Sequence, residues 1–371
     1  VFSISPVVIN GKIRELTVDI THFALNLFYV FLFTLVFIFT ARVIAIKNGL
    51  VDKPNFRKKH IGVIPIIGGI SLFFGICFAF FITDEQIPHK FSYIFCSGLL
   101  VFVGVLDDKF DISVKFRAGI QAFIAIIMMT TANLKIESFG YVFSTLNLIF
   151  GPFDYIITLF AVWATINAFN MIDGIDGLLG SLSLVFFVSL GFLQYRNCNY
   201  AIAFWCFAFI VAIIPYIFLN LGGLGLRFKI FMGDAGSTLI GFTIIWILIS
   251  STQGKYHAIN PVTGLWLIAI PLIDMIAIMY RRIRKGMSPF SPDRQHIHHL
   301  IMRSGFSAKG TFILITLLGI LLACIGIIGE FLIFEWVMLW FFLFLFMMYG
   351  YLIKRVWKVS RFIKRLKRRI R

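Results

Sequence analysis

The chain is built from apolar runs of about 20 residues, each long enough to cross the hydrocarbon core of a bilayer as one α-helix. Inside lipid every backbone N–H and C=O must be satisfied by the protein itself, and a helix does so within a single segment. The runs therefore predict an all-α, polytopic integral membrane protein. Their centres fall near residues 31, 74, 99, 126, 162, 187, 209, 243, 271, 319 and 344, so a bundle of about 11 transmembrane helices is expected. Composition agrees: 60% of the 371 residues are hydrophobic and 14% are charged, against about 25% charged in soluble domains.

A formal net charge of +17 invites a nucleic-acid partner, but the placement of the charge argues for none. Of the 34 Lys and Arg, 28 fall within the alternate segments 42–64, 107–117, 172–180, 220–234, 281–310 and 354–371. The other 6 are Lys12, Arg14, Lys90, Lys135, Arg196 and Lys255. Such a bias is the positive-inside signature of a membrane protein. It puts the basic segments and the C-terminus in the cytosol. Residues 1–20 then read as an N-terminal extension on the periplasmic side. Residues 354–371 read as a basic cytosolic tail lying on anionic membrane lipids. Five scattered cysteines without a CxxC pair support neither a disulfide framework nor a zinc site.

The same assignment gathers eight acids on the cytosolic face: Asp52, Asp107, Asp108, Asp111, Asp173, Asp176, Asp234 and Asp293. Ionised groups beside lipid are costly and need partners. Adjacent carboxylates such as Asp107-Asp108 repel, and hard oxygen ligands suit Mg²⁺ or Mn²⁺. An acidic helix cap balanced by Lys109, Lys115 and Arg117 explains that pair equally well. Asn167, Asn170, Asp173 and Asp176 recur every third residue and would line one side of a helix end, which a single cap does not explain. Gly233 and Gly236 flank Asp234 at a helix start, whose free N–H groups suit phosphate; an ordinary Asp cap is the alternative. Asn220, at the preceding helix exit, adds a polar contact. In the most basic loop, Arg282 with His296, His298 and His299 reads as anion recognition rather than as a zinc site. The first inner loop, Asp52 to His60 with Lys59, suits a lipid phosphate. Asp274, about two turns inside the ninth run, is expected to pair with an inner-loop cation or ligand.

Taken in order, D-K-P-N-x-R-K-x-H from Asp52, P-x-x-G-G from Pro65, D-D-x-x-D from Asp107, N-x-x-N-x-x-D-G-x-D-G from Asn167, G-D-x-G-S from Gly233 and D-R-Q-H-I-H-H from Asp293 resemble the polyprenyl-phosphate N-acetylhexosamine-1-phosphate transferases. The histidine loop favours the branch that uses N-acetylglucosamine. The resemblance implies a transferase domain over residues 21–353 that moves GlcNAc-1-phosphate from UDP-GlcNAc to undecaprenyl phosphate, releasing UMP. It implies a place at the start of O-antigen or enterobacterial common antigen synthesis, with Mg²⁺ or Mn²⁺ as cofactor. On this reading Asp107, Asp108, Asp173, Asp176 and Asp234 are catalytic, with Asp108 and Asp234 toward the metal. Asn167, Asn170, Asn220, Arg282, His296, His298, His299, Asp111 and Lys59 bind substrate. The expected partners are the two substrates and membrane lipids, with a homodimer left open. A membrane prenyltransferase with Asp-rich metal motifs, or a lipid or nucleotide-sugar transporter, is the alternative.

Overall fold

The computed structural model describes residues 6–54, 62–254, 257–288 and 295–354. The chain runs through helices α1 (Pro6–Asn48), α2 (Gly68–Ile82), α3 (Lys90–Phe110), α4 (Val114–Thr131), α5 (Asp154–Ile172), α6 (Leu178–Arg196) and α7 (Tyr200–Asn220). It continues through α8 (Gly233–Thr252), α9 (Pro261–Leu267), α10 (Ala269–Arg284), α11 (Ile297–Arg303), α12 (Ala308–Leu332) and α13 (Glu335–Lys354). Two short antiparallel pairs complete it: β1 (Val51–Asp52) with β2 (Ile64–Pro65), and β3 (Ser138–Tyr141) with β4 (Asn147–Ile149).

Among the described residues nine helices are long and apolar enough to cross a membrane, or ten if α9 and α10 count as one bent span. Every predicted run centre lies in a helix, but two depart from the simple span. The first is α2, whose 15 residues reach only about 22 Å at 1.5 Å per residue. The chain ahead of it enters as extended backbone: Phe231 N donates to Pro65 O at 2.9 Å and Ile67 N to Phe231 O at 3.2 Å. Non-helical backbone is tolerated at depth only where protein or a cavity surrounds it, and Ile64, Ile66 and Ile67 are buried. The second is the 83° bend between α9 and α10. Pro271 offers no N–H to Leu267 O and its ring crowds that carbonyl, which stops α9 there.

The centre of the bundle is α8. Seventeen of its 20 residues are buried, and it packs against α3, α5 and α2. Small residues let backbones meet: a Cβ on Gly104 of α3 would collide with the backbone of Ala235. The other half of α8 is locked by aromatics. Tyr93 stands edge-on to Trp205 at 4.5 Å and to Trp246 at 5.5 Å, and its hydroxyl shares a 2.6 Å hydrogen bond with Thr243 Oγ1. That packing fixes the rotation and height of α8, and so fixes what its first turn presents.

Candidate active site

The first turn of α8 opens onto a cleft of about 360 Å³ lined by Asp52, Ile66, Asp108, Asn170, Asp173, Gly174, Ile175, Asp176, Tyr216, Asn220, Phe231, Met232, Gly233, Asp234 and Ser237. Four of the acids brought together by topology thus share one cavity with Asp52, as the motifs predict. The turn begins at Gly233, whose φ of +76° suits glycine and where a side chain would collide with Asp108 and Ile66. Two free amides of the helix start then point at one carboxylate. Asp234 N donates to Asp108 Oδ1 at 2.9 Å and Ala235 N to Asp108 Oδ2 at 3.4 Å. Negative charge is favoured at that end of a helix, so Asp108 caps α8 from α3 and holds Asp234 in place.

Asp234 is oriented from two further sides. Asn170 Nδ2 donates to Asp234 Oδ1 at 2.5 Å and to Ser237 Oγ at 2.8 Å. Arg117 Nη1 lies 3.7 Å from Asp234 Oδ2 and 2.6 Å from Asp107 Oδ2. Asp107 also accepts from Ile112 N at 2.8 Å. The adjacent pair therefore faces different donors, Arg117 for Asp107 and a helix start for Asp108, which offsets part of their mutual repulsion. Both of the readings offered by the sequence contribute, since capping places Asp108 and an acidic cleft results.

Asp173 closes α5 and faces the cavity. Enclosure by surrounding protein, then the charges of Asp234 and Asp176, push its carboxyl up to about 7; its side chain still meets water in the cleft, which moderates the effect. Asp176 is paired with Lys229 Nζ at 2.5 Å. Asn220 spends both ends on backbone, accepting from Gly177 N at 2.7 Å and donating to Ile230 O at 2.9 Å. It stitches the Asp173–Gly177 loop to the segment that leads into α8.

The histidines approach that same loop. A Cβ on Gly174 would collide with the His298 ring. His298 lies nearly parallel to His296 at 5.8 Å and tilted against His299 at 4.2 Å. Burial, then the neighbouring rings of His299 and His296, push His298 down to about 3, so at neutral pH the ring is uncharged. Asp274, buried in α10, accepts from His296 Nδ1 at 2.8 Å, the inner-loop partner that its depth led us to expect. Arg282 is buried in the last turn of α10. Asn167 donates to Gln121 Oε1 at 3.1 Å and to Trp163 O at 2.8 Å, away from the cleft lining. Asp111 ends α3 at φ +55° and is exposed, also off the lining. Lys59 and Asp293 lie outside the described residues.

Ser237, Lys229 and Tyr216 are parts of the site that sequence reasoning did not single out, and Arg117 was named there only as a balance for the adjacent acid pair, a role its 2.6 Å contact with Asp107 matches. Lys229 was absorbed into the topological charge count. Ser237, three residues after Asp234, did carry a signal in the G-D-x-G-S spacing.

Among the described residues no group of three or more His, Cys, Asp or Glu side chains is placed to hold a metal ion. Mg²⁺ is commonly held by one or two carboxylates, with water and substrate phosphate completing its shell. Asp234 and Asp173 offer that kind of incomplete oxygen set on one cavity. The two oxygens of Asp108 each keep a lone pair beyond the capping bonds. The donor chemistry fits a hard divalent ion.

Comparison with known proteins agrees with this geometry. Residues 90–252 match the description Glycosyl transferase family 4. Over 348 residues the chain is 65% identical to the undecaprenyl-phosphate alpha-N-acetylglucosaminyl 1-phosphate transferase of Yersinia pestis, covering 93% of this chain and 95% of that protein. Identity is 63% to the protein of that name from Escherichia coli K12, with the same coverage. It is 54% to that of Pasteurella multocida, covering 93% and 97%. A cleft of acids at one end of a helical bundle, set in a sequence this close to those relatives, means that the chain belongs to the family of undecaprenyl-phosphate alpha-N-acetylglucosaminyl 1-phosphate transferases.

Proposed function

We propose that the protein transfers GlcNAc-1-phosphate from UDP-GlcNAc to undecaprenyl phosphate at the cytosolic face of a bacterial inner membrane, as the first lipid-linked step of O-antigen or enterobacterial common antigen type glycans. The observation that carries this reading is the 65% identity over 348 residues with a transferase of that name, and the cleft has the chemistry to match. An oxygen of the lipid phosphate attacks the β-phosphorus of the donor, a new P–O bond forms, and the bond to UMP breaks. The nucleophile needs no strong base, because a phosphate monoester's second pKa is about 6. Phosphoryl transfer instead needs positioning and charge neutralisation.

Asp234, with Asp173 facing the same cavity and Asp108 beneath, would hold Mg²⁺ or Mn²⁺. When bound, the cation supplies neutralisation of the donor's diphosphate. Asn170 and Ser237 keep Asp234 in one orientation. Arg117 bridges Asp107 and Asp234, which puts a fixed cation beside the acids at the mouth and leaves Asp107 to position the lipid phosphate. His298, neutral and packed on Gly174, and Arg282 form the donor side.

The test is metal-dependent release of UMP from UDP-GlcNAc by the purified chain, with undecaprenyl phosphate added. Release that needs both the lipid and a divalent ion is the expected result. Turnover of another nucleotide-sugar in its place, or release without lipid, overturns the assignment.

A further inference from the structure

Asp274 is a buried acid that the proposed chemistry does not touch. It is 2% exposed and sits in the bent span, where an unpaired carboxylate is costly. Three donors from two places reach it, the adjacent His296 and Ile297 at the start of α11 and Tyr349 on α13. His296 Nδ1 lies 2.8 Å from Oδ2, while Ile297 N at 3.0 Å and the Tyr349 hydroxyl at 2.5 Å both donate to Oδ1. One carboxylate on α10 thereby holds the start of α11 and the inner half of α13. A simple fold staple would stop there. Here the ring it holds is stacked on His298, which packs against Gly174 beside Asp173.

We propose that Asp274 is a positioning residue for the transfer: it fixes the tautomer and orientation of His296, with Tyr349 steadying the carboxylate, and so sets the His296–His298 stack against the donor side of the cleft. This rests on the functional reading above. An acceptor at Nδ1 keeps a proton on that nitrogen, so the ring meets its surroundings through Nε2. Partners behind a functional histidine act by this means, and their loss commonly costs about 10- to 100-fold in activity.

Asp274→Asn tests it sharply. Ile297 N and the Tyr349 hydroxyl both need an acceptor at Oδ1, so the new amide keeps its oxygen there and turns its NH₂ toward His296 Nδ1. That nitrogen must then be bare, and the proton moves to Nε2. Full-length protein carrying ¹⁵N-histidine, with the His296 signal assigned from His296→Gln, reads the tautomer directly at pH 8. The expected result is Nδ1–H in the wild type and Nε2–H in Asp274→Asn; the same tautomer in both overturns the proposal. In UMP release, Asp274→Asn should lower kcat per folded molecule about 10-fold or more, with the KM for undecaprenyl phosphate within about 2-fold. Tyr349→Phe removes one donor only and should lower kcat about 3-fold, which keeps the test alive if Asp274→Asn does not fold. Wild-type kcat in the folded variants, or a loss accounted for by fewer folded molecules, shows a staple alone. If the wild type releases no UMP at all, the functional reading fails while the tautomer measurement still decides the role of Asp274 toward His296.

Discussion

A carboxylate that caps a helix and one that faces a substrate lose different things when amidated. Asp234→Asn keeps a side chain for Asn170 to orient but removes the charge, so kcat for UMP release should fall about 100-fold or more, with thermal unfolding in detergent near that of the wild type. Asp108→Asn removes the negative charge at the helix start and turns an NH₂ toward one of the two amides from which Asp108 accepts, so it should lower both readouts, the unfolding free energy by about 1 kcal/mol. Unfolding changes in the reverse order would exchange the two roles. His298 supplies a pH signature. In the unfolded chain an imidazole titrates near 6.5, whereas burial holds His298 down to about 3. As pH falls the unfolded state takes up this proton first, so the stability it contributes is complete above about 6.5 and drains away toward 3. The gap in unfolding midpoint between wild type and His298→Gln should therefore narrow from pH 7 to pH 4; a constant gap means that the ring meets water. At this scale the sequence was only half legible. Of the three-residue rhythm from Asn167 only Asn170 reaches the cleft from within α5: Asn167 turns toward Gln121, and the helix ends at Ile172, so Asp173 and Asp176 reach it from the loop. The bridge from Arg117 to Asp234 joins residues far apart in the chain, and the sequence pointed to Arg117 only as a balance for the adjacent acids.

The start of α8 is the element on which the cleft depends, and its glycine can be tested against another of the same backbone hand. Gly233 and Gly222 both have positive φ, but a side chain on Gly233 meets Asp108 and Ile66, while Gly222 has open space. Gly222→Ala should cost only the left-handed backbone term, about 1 kcal/mol. Gly233→Ala should cost more and should lower kcat disproportionately, measured as UMP release per folded molecule. Equal effects on activity would mean that the Asp108 cap does not set the site. Helix existence was legible, since an apolar run of this length has few alternatives. Helix form was less so. An apolar run reports hydrophobicity without fixing where the helix begins, so α2 looked like a full span although its helix has only 15 residues and extended backbone precedes it. Pro271 was in plain view as a breaker, yet hydropathy runs smoothly across the bend that it causes.

For the molecule as a whole, the proposed orientation rests on the 28 basic residues of the alternate segments against 6 elsewhere, and one cysteine makes it measurable. Cys198 is exposed in the turn between α6 and α7, whereas Cys96 and Cys206 are buried, Cys77 is half-buried, and the exposed Cys324 lies within the apolar span of α12, out of reach of a water-borne reagent. A membrane-impermeant maleimide given to intact spheroplasts should label the wild type and not Cys198→Ser. Protection of Cys198 until the membrane is opened would invert the topology and move the cleft to the periplasm. The enclosure of α8 has a further consequence, for the bilayer itself. The candidate spans of α1, α4 and α13 are only 17%, 28% and 22% buried, against 94% for α8, so the rim helices meet the acyl chains and α8 does not. When lipid is thicker or thinner than a protein's apolar belt, exposed helices tilt or the bilayer deforms to match. Here that adjustment falls on the rim, and the helix whose first turn carries Asp234 is shielded from it. Turnover in vesicles should accordingly vary little with acyl-chain length, and the transferase can work in membranes of different thickness without retuning its chemistry.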